Sequence, residues 1–422
     1  MKKNLLTALL PVCLLLMVCS GCLKDDCTRT YKLYYPVYKS LTDVRKNMKS
    51  GPAQSLHQTG RLYLFGKYIF LNEPDKGIHV IDNSNPSIPK NISFITIPGN
   101  AELAVRGNYL YADSYSDLAV FDISNPVNIN AKNFISNVFP ERNRFYYGNS
   151  SNPDSVKVVV DYIEKDTMVS CETMNYWQTS CVTCSASSGG VFYLSNSSIP
   201  STQAGIGGSM ARFTILDNYL YTVSSSDLYS FNLSDGMAPQ QSAKTNLGNW
   251  NIETIYPFKD KLFIGSTNGM FIFGVTDPAH PAQLAQFSHV RSCDPVIADG
   301  NYAYVTLRSG TTCQGYSNQM DILSIANLSS PSLVKTYPMT NPHGLSKDGN
   351  TLFICDGKDG LKVFDATDVY SVKLVKQLSG MEAIDVIAAN NTVMVIAADG
   401  LYQYDYADTS NIKLLSKISF GK

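Results

Sequence analysis

Residues 108–126 read NYLYADSYSDLAVFDISNP. Two apolar runs, YLYA (109–112) and LAVF (118–121), flank a polar tip, and Asn-Pro closes the phrase. Short apolar and aromatic runs bounded by turn formers predict two strands of a hairpin. The phrase recurs as GIHVIDNSNP (77–86), DLYSFNLSDG (227–236), GMFIFGVTDP (269–278), ILSIANLSSP (322–331), GLKVFDATDV (360–369) and GLYQYDYADT (400–409). Aligned where the second run ends, the copies anchor on Asp82, Asp122, Asn232, Gly274, Asn327, Asp365 and Asp405, with gaps of 40, 110, 42, 53, 38 and 40. A period near forty residues is the mark of a repeat architecture.

Each copy has a partner run upstream, from YIFL (68–71) and YLYA (109–112) to TLFI (351–354) and TVMV (392–395). A further run precedes it, such as LAVRG (103–107), and a fourth follows, such as NISFITI (91–97). Four strands in each of seven units, with no helical period of comparable strength, predict an all-β, seven-bladed β-propeller of four-stranded antiparallel blades. A linear solenoid is the competing arrangement. Ring closure is preferred because it removes sheet ends that would otherwise need capping repeats. The Pro after the third strand stops pairing, and the Asp or Asn four residues earlier fixes the turn through nearby backbone. In this reading only the hairpin tip ADSYSD (112–117) faces a partner.

The N-terminus reads as a secretory leader. Lys2 and Lys3 precede an apolar run from Leu5 to Val18, and Ser20-Gly21 stand before Cys22. The run is too short for a lasting transmembrane helix. The Ser-Gly-Cys ending resembles a bacterial lipobox with Cys22 as lipid acceptor, although Cys19 stands where the pattern has an aliphatic residue. Lys24-Asp25-Asp26 resembles the export signal of surface lipoproteins in the Bacteroidetes. The expected organisation is a signal peptide over 1–21, a short lipidated tether over 22–59, and a propeller over 60–422 with an insertion at about 140–210. The expected location is the outer membrane, lipid-anchored and facing the cell exterior.

The units LAVFDISNP and IHVIDNSNP resemble the LVIVD repeat of extracytoplasmic bacterial and archaeal proteins. The lead-in YKLYYPVYKSLTDVR (31–45) followed by GKYIFLNEPDKGIHVIDNSNP (66–86) is similar to the LVIVD-repeat lipoproteins of Bacteroidetes. The resemblance implies a propeller on a lipid anchor and brings no catalytic residues.

The gap of 110 holds an insertion in which VKVVVDYI (156–163) and GVFYL (190–194) look like strands. A decorated loop or hairpin fits it better than an eighth blade, because it carries no landmark phrase. After loss of the leader and lipidation of Cys22, Cys27, Cys171, Cys181, Cys184, Cys293, Cys313 and Cys355 remain. In an oxidising compartment disulfides form. Cys293 and Cys313 both fall on one rim of blade five, which makes them the favoured pair. The Cys-x-x-Cys at 181–184 has no nearby His to complete a zinc site, so no metal is expected there.

A formal charge of −1 argues against nucleic acid as a partner. The five His form no HExxH, and nucleophile-elbow, phosphate-loop and EF-hand signatures are absent. The acidic turns NEPDKG (72–77) and CDGKDG (355–360) supply too few oxygens for calcium, so neither metal nor cofactor is expected. One constellation stands out. Where each innermost strand begins, the units place Arg61, Glu102, Arg212, Glu253, Asp294, His343 and Asp385. In a propeller these face the channel mouth, where a mixed-sign ring suits a polar ligand or peptide, or simply tolerates solvent. His343 with Asp385 or Asp294 is the one acid–base arrangement available. The favoured function is a non-enzymatic binding platform for a protein or glycan. The alternatives are a hydrolase or lyase at the mouth, and a structural subunit of an envelope complex.

Overall fold

The computed structural model describes residues 28–147, 155–170, 204–248, 251–288, 295–310 and 317–421. Two compact units emerge: a small one of residues 1–37 and 161–187, and a large one of 38–160 and 188–422.

The large unit is a seven-bladed β-propeller. The four strands of each blade are one contiguous stretch of chain that pairs in sequence order, innermost strand to outermost. Blade two shows the plan with Leu103–Arg106, Tyr109–Ser114, Asp117–Asp122 and Asn130–Ile135. Residues 109–122 form its middle hairpin, with Tyr109 opposite Asp122 and Ser114 opposite Asp117. Leu118, Val120 and Phe121 are fully buried. Middle strands have a neighbouring blade on both faces, which explains their continuous apolar runs. Outer strands meet solvent on one face and read as mixed, as in QQSAKTN over Gln240–Asn246. In every blade the third and fourth strands are offset by a register shift near the turn. Such bulges add local twist, which a ring of blades needs.

The turns after the third strands are built by side chains. Asp82 Oδ1 accepts the Ser84 amide at 2.9 Å, Asp122 that of Ser124 at 3.0 Å, and Asp365 that of Thr367 at 2.9 Å. A second such turn follows in each blade, on Asn85, Asn125, Asp235, Asp277, Asn327, Asp368 and Asp408. This corrects one anchor. In blade five the third strand is Gln319–Ser324, so Ser324, not Asn327, is the equivalent of Asp122. Ser329-Ser330-Pro331 stands three residues further from the strand end than Ser124-Asn125-Pro126 does, which is why the phrases align out of register there.

Among the described residues no strand is shared across the seam of the ring. Blades one and seven are joined by an apolar cluster that includes Leu62, Ile69, Ile81, Ile387, Ile396 and Leu401. Gln403 and Asn83 exchange two amide hydrogen bonds of 2.9 and 2.8 Å, and Ser416 donates to the Pro86 carbonyl at 2.6 Å.

The stretch expected as a tether is structured from residue 28 onward. Helix α1, Leu41–Lys46, is capped by Ser40 and buries Leu41 and Val44. Ser50–Gly51 adds a fifth strand to blade one, and Leu56 enters the seam cluster. An apolar residue every three or four positions gives this short segment a face to bury. It also covers the hairpin tip of blade two: residues 112–117 are all buried, which corrects their expected exposure. Arg45 pairs with Asp117, Arg142 with Asp113, and the Tyr115 hydroxyl donates to Val159 O at 2.6 Å.

In the small unit, parts of the strands Thr28–Ser40 and Lys157–Ser170 lie side by side. Lys32 pairs with Glu164, and the Lys165 ammonium lies 5.4 Å from the Tyr35 ring centre. Tyr31, Tyr34, Tyr35, Tyr162 and Ile163 are exposed there.

Candidate functional site

The channel along the propeller axis has a mouth, where innermost strands begin, and an exit, where they end. At the mouth the predicted ring is partly assembled, and its members bond across blades. Arg61 of blade one is buried and donates through Nε and Nη2 to Glu102 Oε1 of blade two, the Nε bond being 2.7 Å. Glu102 Oε2 accepts the Arg212 amide of blade three at 3.1 Å. The Arg212 guanidinium reaches on to the carbonyls of Glu253 and Ile252 in blade four, at 3.2 and 2.9 Å. Burial lowers the Arg61 pKa against the pull of Glu102. The alternating charges at 61, 102 and 212 therefore link four blades.

His343 sits between blades five and six. Its carbonyl accepts Thr306 Oγ1 at 2.7 Å, and its ring lies 3.1 Å from both Arg308 Nη1 and Asn341 Nδ2. Burial, helped by the Arg308 charge, pushes the imidazole down to about 3, so it is neutral at physiological pH. Asp385 is fully buried, accepts the Val386 amide at 2.6 Å, and has its pKa raised well above the carboxylate range by desolvation. Asp294, Cys22, Cys293, Cys313 and the run 190–194 lie outside the described residues. Cys355 is a buried free thiol.

The acidic turns hold their own loops. Glu73 pairs with Lys76 and His79, while Asp356 accepts the Thr340 and Asn341 amides and the Lys362 ammonium. Among the described residues no group of three or more His, Cys, Asp or Glu is placed to hold a metal ion.

What the sequence reading missed is inside the channel. Residues 204–211, the end of the insertion, run along the free edges of the innermost strands of blades one and two. Leu64 and Ile206 exchange amide–carbonyl bonds of 2.9 and 2.7 Å, and the Gly205 amide donates to Val105 O at 2.8 Å. Ser209 reaches across to accept the Leu345 amide of blade six at 3.3 Å. The glycines of AGIGGS (204–209) explain the close approach: a Cβ on Gly207 would stand 2.7 Å from the buried Tyr63 ring. A glycine cluster just before an innermost strand was the available signal.

This inner segment leaves a cavity of about 840 Å³ toward the exit. Its walls include Phe213, Ile215 and Phe258, and its rim holds the innermost hairpin turns of blades three to seven, at Asp217, Lys259, Gly300, Gly349 and Asn390. Lys347 in the wall is engaged by Asp299 and by Gly349 O.

The LVIVD repeat matches residues 58–94, 98–134 and 291–339. A search of curated proteins returned no match. Among solved structures, a Lactobacillus plantarum protein from a structural-genomics programme is similar at 12% identity over 86% of this chain and 97% of its own, with a TM-score of 0.53. Sqt1 of Saccharomyces cerevisiae is similar at 8% identity over 90% and 86%, with a TM-score of 0.51. At these identities the likeness is one of fold. The chain is a β-propeller whose first, second and fifth blades match the LVIVD repeat.

Proposed function

We propose that this chain is a lipoprotein of the outer membrane, facing the cell exterior, that serves as a binding platform for a protein or glycan. The observation that carries the reading is the small unit. Tyr34 and Tyr35 are 45% and 46% exposed on a narrow two-stranded ribbon, on which Tyr31 and Tyr162 are exposed as well. Clustered exposed aromatics are what interfaces use, because a rigid ring gives contact area at low entropy cost. The ribbon starts six residues after Cys22, so lipidation there would hold it close to the membrane surface. The hydrolase or lyase alternative has less support, since Arg61, Glu102 and Arg212 are engaged with one another across blades.

The test is crosslinking and pull-down from intact cells. A discrete partner captured by the wild type and lost on Tyr34→Ser/Tyr35→Ser supports the platform. Equal capture by both proteins refutes the ribbon's part in it. Protease shaving of intact cells should remove the propeller, and Cys22→Ala should release the chain from membranes.

A further inference from the structure

Seven equivalent two-residue turns close the innermost hairpins at the channel exit: Gly66-Lys67, Gly107-Asn108, Asp217-Asn218, Lys259-Asp260, Gly300-Asn301, Gly349-Asn350 and Asn390-Asn391. In all seven the first residue has a φ between 53° and 59°, the left-handed region. Glycine adopts it freely, and four blades use glycine. Blades three, four and seven instead hold Asp217, Lys259 and Asn390, and blade seven adds Asn391 at φ 60°. Asp and Asn tolerate this region, but Lys has no local hydrogen bond to compensate it. Such strain persists where the surrounding structure fixes it, and it gathers at binding sites.

All four of these side chains border the 840 Å³ cavity. Asp217, Asn390 and Asn391 make no side-chain hydrogen bond or ion pair among the described residues, and Lys259 lies over the Phe258 ring at 5.0 Å. At the first turn position, which Asp217, Lys259 and Asn390 hold, the four sister blades use glycine.

We propose that the exit cavity binds a short neutral glycan. The chemistry selects it. Asp217 only accepts hydrogen bonds, Lys259 only donates, and the two Asn amides do both, which suits hydroxyls that themselves do both. Phe213, Ile215, Phe258 and the glycine backbone of the inner segment give an apolar floor for the C–H face of a sugar ring. The lining carries Lys259 and Lys347 against Asp217, Asp299 and Asp348, and Lys347 is already engaged by Asp299, so a phosphate or other strong anion finds no net positive field. The volume lies within the range of small-molecule sites, roughly 300–1,000 Å³. The inference names the ligand class for the platform reading but does not depend on surface location or on the ribbon.

The experiment is saturation-transfer NMR and thermal shift on the purified full chain, with maltose, cellobiose, lactose and chitobiose as probes and glycylglycine as control. The prediction is saturable binding of at least one disaccharide. Asp217→Gly, Lys259→Gly and Asn390→Gly/Asn391→Gly should each weaken it at least about fivefold, a difference near 1 kcal/mol. The same variants should melt at or above the wild-type temperature, because glycine relieves the left-handed strain. Three results overturn the proposal: no disaccharide binding, binding unchanged by the glycine variants, or glycine variants that melt lower and so reveal a folding role. Binding of glycylglycine alone overturns the ligand class. Failure here with an intact ribbon-dependent pull-down would leave the platform reading standing.

Discussion

Gly205→Ala tests whether the inner segment is locked in the channel. Gly205 is not in the left-handed region, so the added methyl acts by volume alone. Built on the backbone, its Cβ overlaps the edge of the Tyr63 ring and lies 2.8 Å from the Leu64 carbonyl oxygen. Neither obstacle can yield easily: Tyr63 is 2% exposed, and Leu64 belongs to an innermost strand paired with Ile69. The segment must therefore move, which breaks or lengthens the two Leu64–Ile206 bonds and the Gly205–Val105 bond. Each backbone bond is worth about 1 kcal/mol net. Overpacking of a core costs about 1–3 kcal/mol. Partial relaxation sets the expected loss at about 2–4 kcal/mol, read as a lower urea midpoint at constant m-value. Hydrogen exchange at Leu64 and Ile206 should quicken. Tyr63→Ala removes the ring, so the double variant should lose at least about 1 kcal/mol less than the two singles together. A loss below about 0.5 kcal/mol, the scale of ordinary surface changes, with both amides still protected, refutes the close packing described here.

Arg61→Met leaves the buried Glu102 carboxylate without its cation and should cost about 3–5 kcal/mol, while Arg61→Met/Glu102→Leu should cost less than their sum; additive losses in denaturant titrations would show that the two are not each other's partner. His343 has a folded pKa of about 3 against 6.5 when free. Its contribution is full above pH 6.5 and is lost as pH falls toward 3, with a slope of up to about 1.4 kcal/mol per unit that His343→Gln should remove from a stability–pH series. Asp385, raised by burial, works in the opposite direction, so Asp385→Asn should melt higher than wild type at pH 7 and converge with it near pH 4. Gln403→Ala removes the paired amides at the seam, and amide exchange around Asn83 and Pro86 should rise before that of any other blade junction.

The fold was legible because its determinants are local and repeated. The third-strand phrase, its side-chain-built turn and the Gly-Asn hairpins each need only a few neighbouring residues, and seven copies make the period plain. Seven landmark phrases at a spacing near forty residues therefore implied seven blades. The mouth residues Arg61, Glu102, Arg212, Glu253, His343 and Asp385 were found by register for the same reason. What they bond to was not legible, because Arg61–Glu102 and Glu102–Arg212 span blades, and a repeat alignment carries no information about which neighbour lies across a junction.

Three features were decided only by tertiary structure. The buried state of residues 112–117 depends on α1 and Arg45, which come from a segment that reads as a polar tether. The seam between Asn83 and Gln403 joins residues from opposite ends of the propeller and leaves no trace in either phrase. The glycines of residues 204–209 look like a flexible linker until Tyr63 and Leu64 are placed beside them. The exit turns combine both levels. Their backbone geometry is set by the two-residue loop and was readable in each copy. That the side chains of Asp217, Lys259, Asn390 and Asn391 border one cavity follows only from closing the ring, since convergence of distant turns is a property of the closed sheet arrangement and not of any single blade.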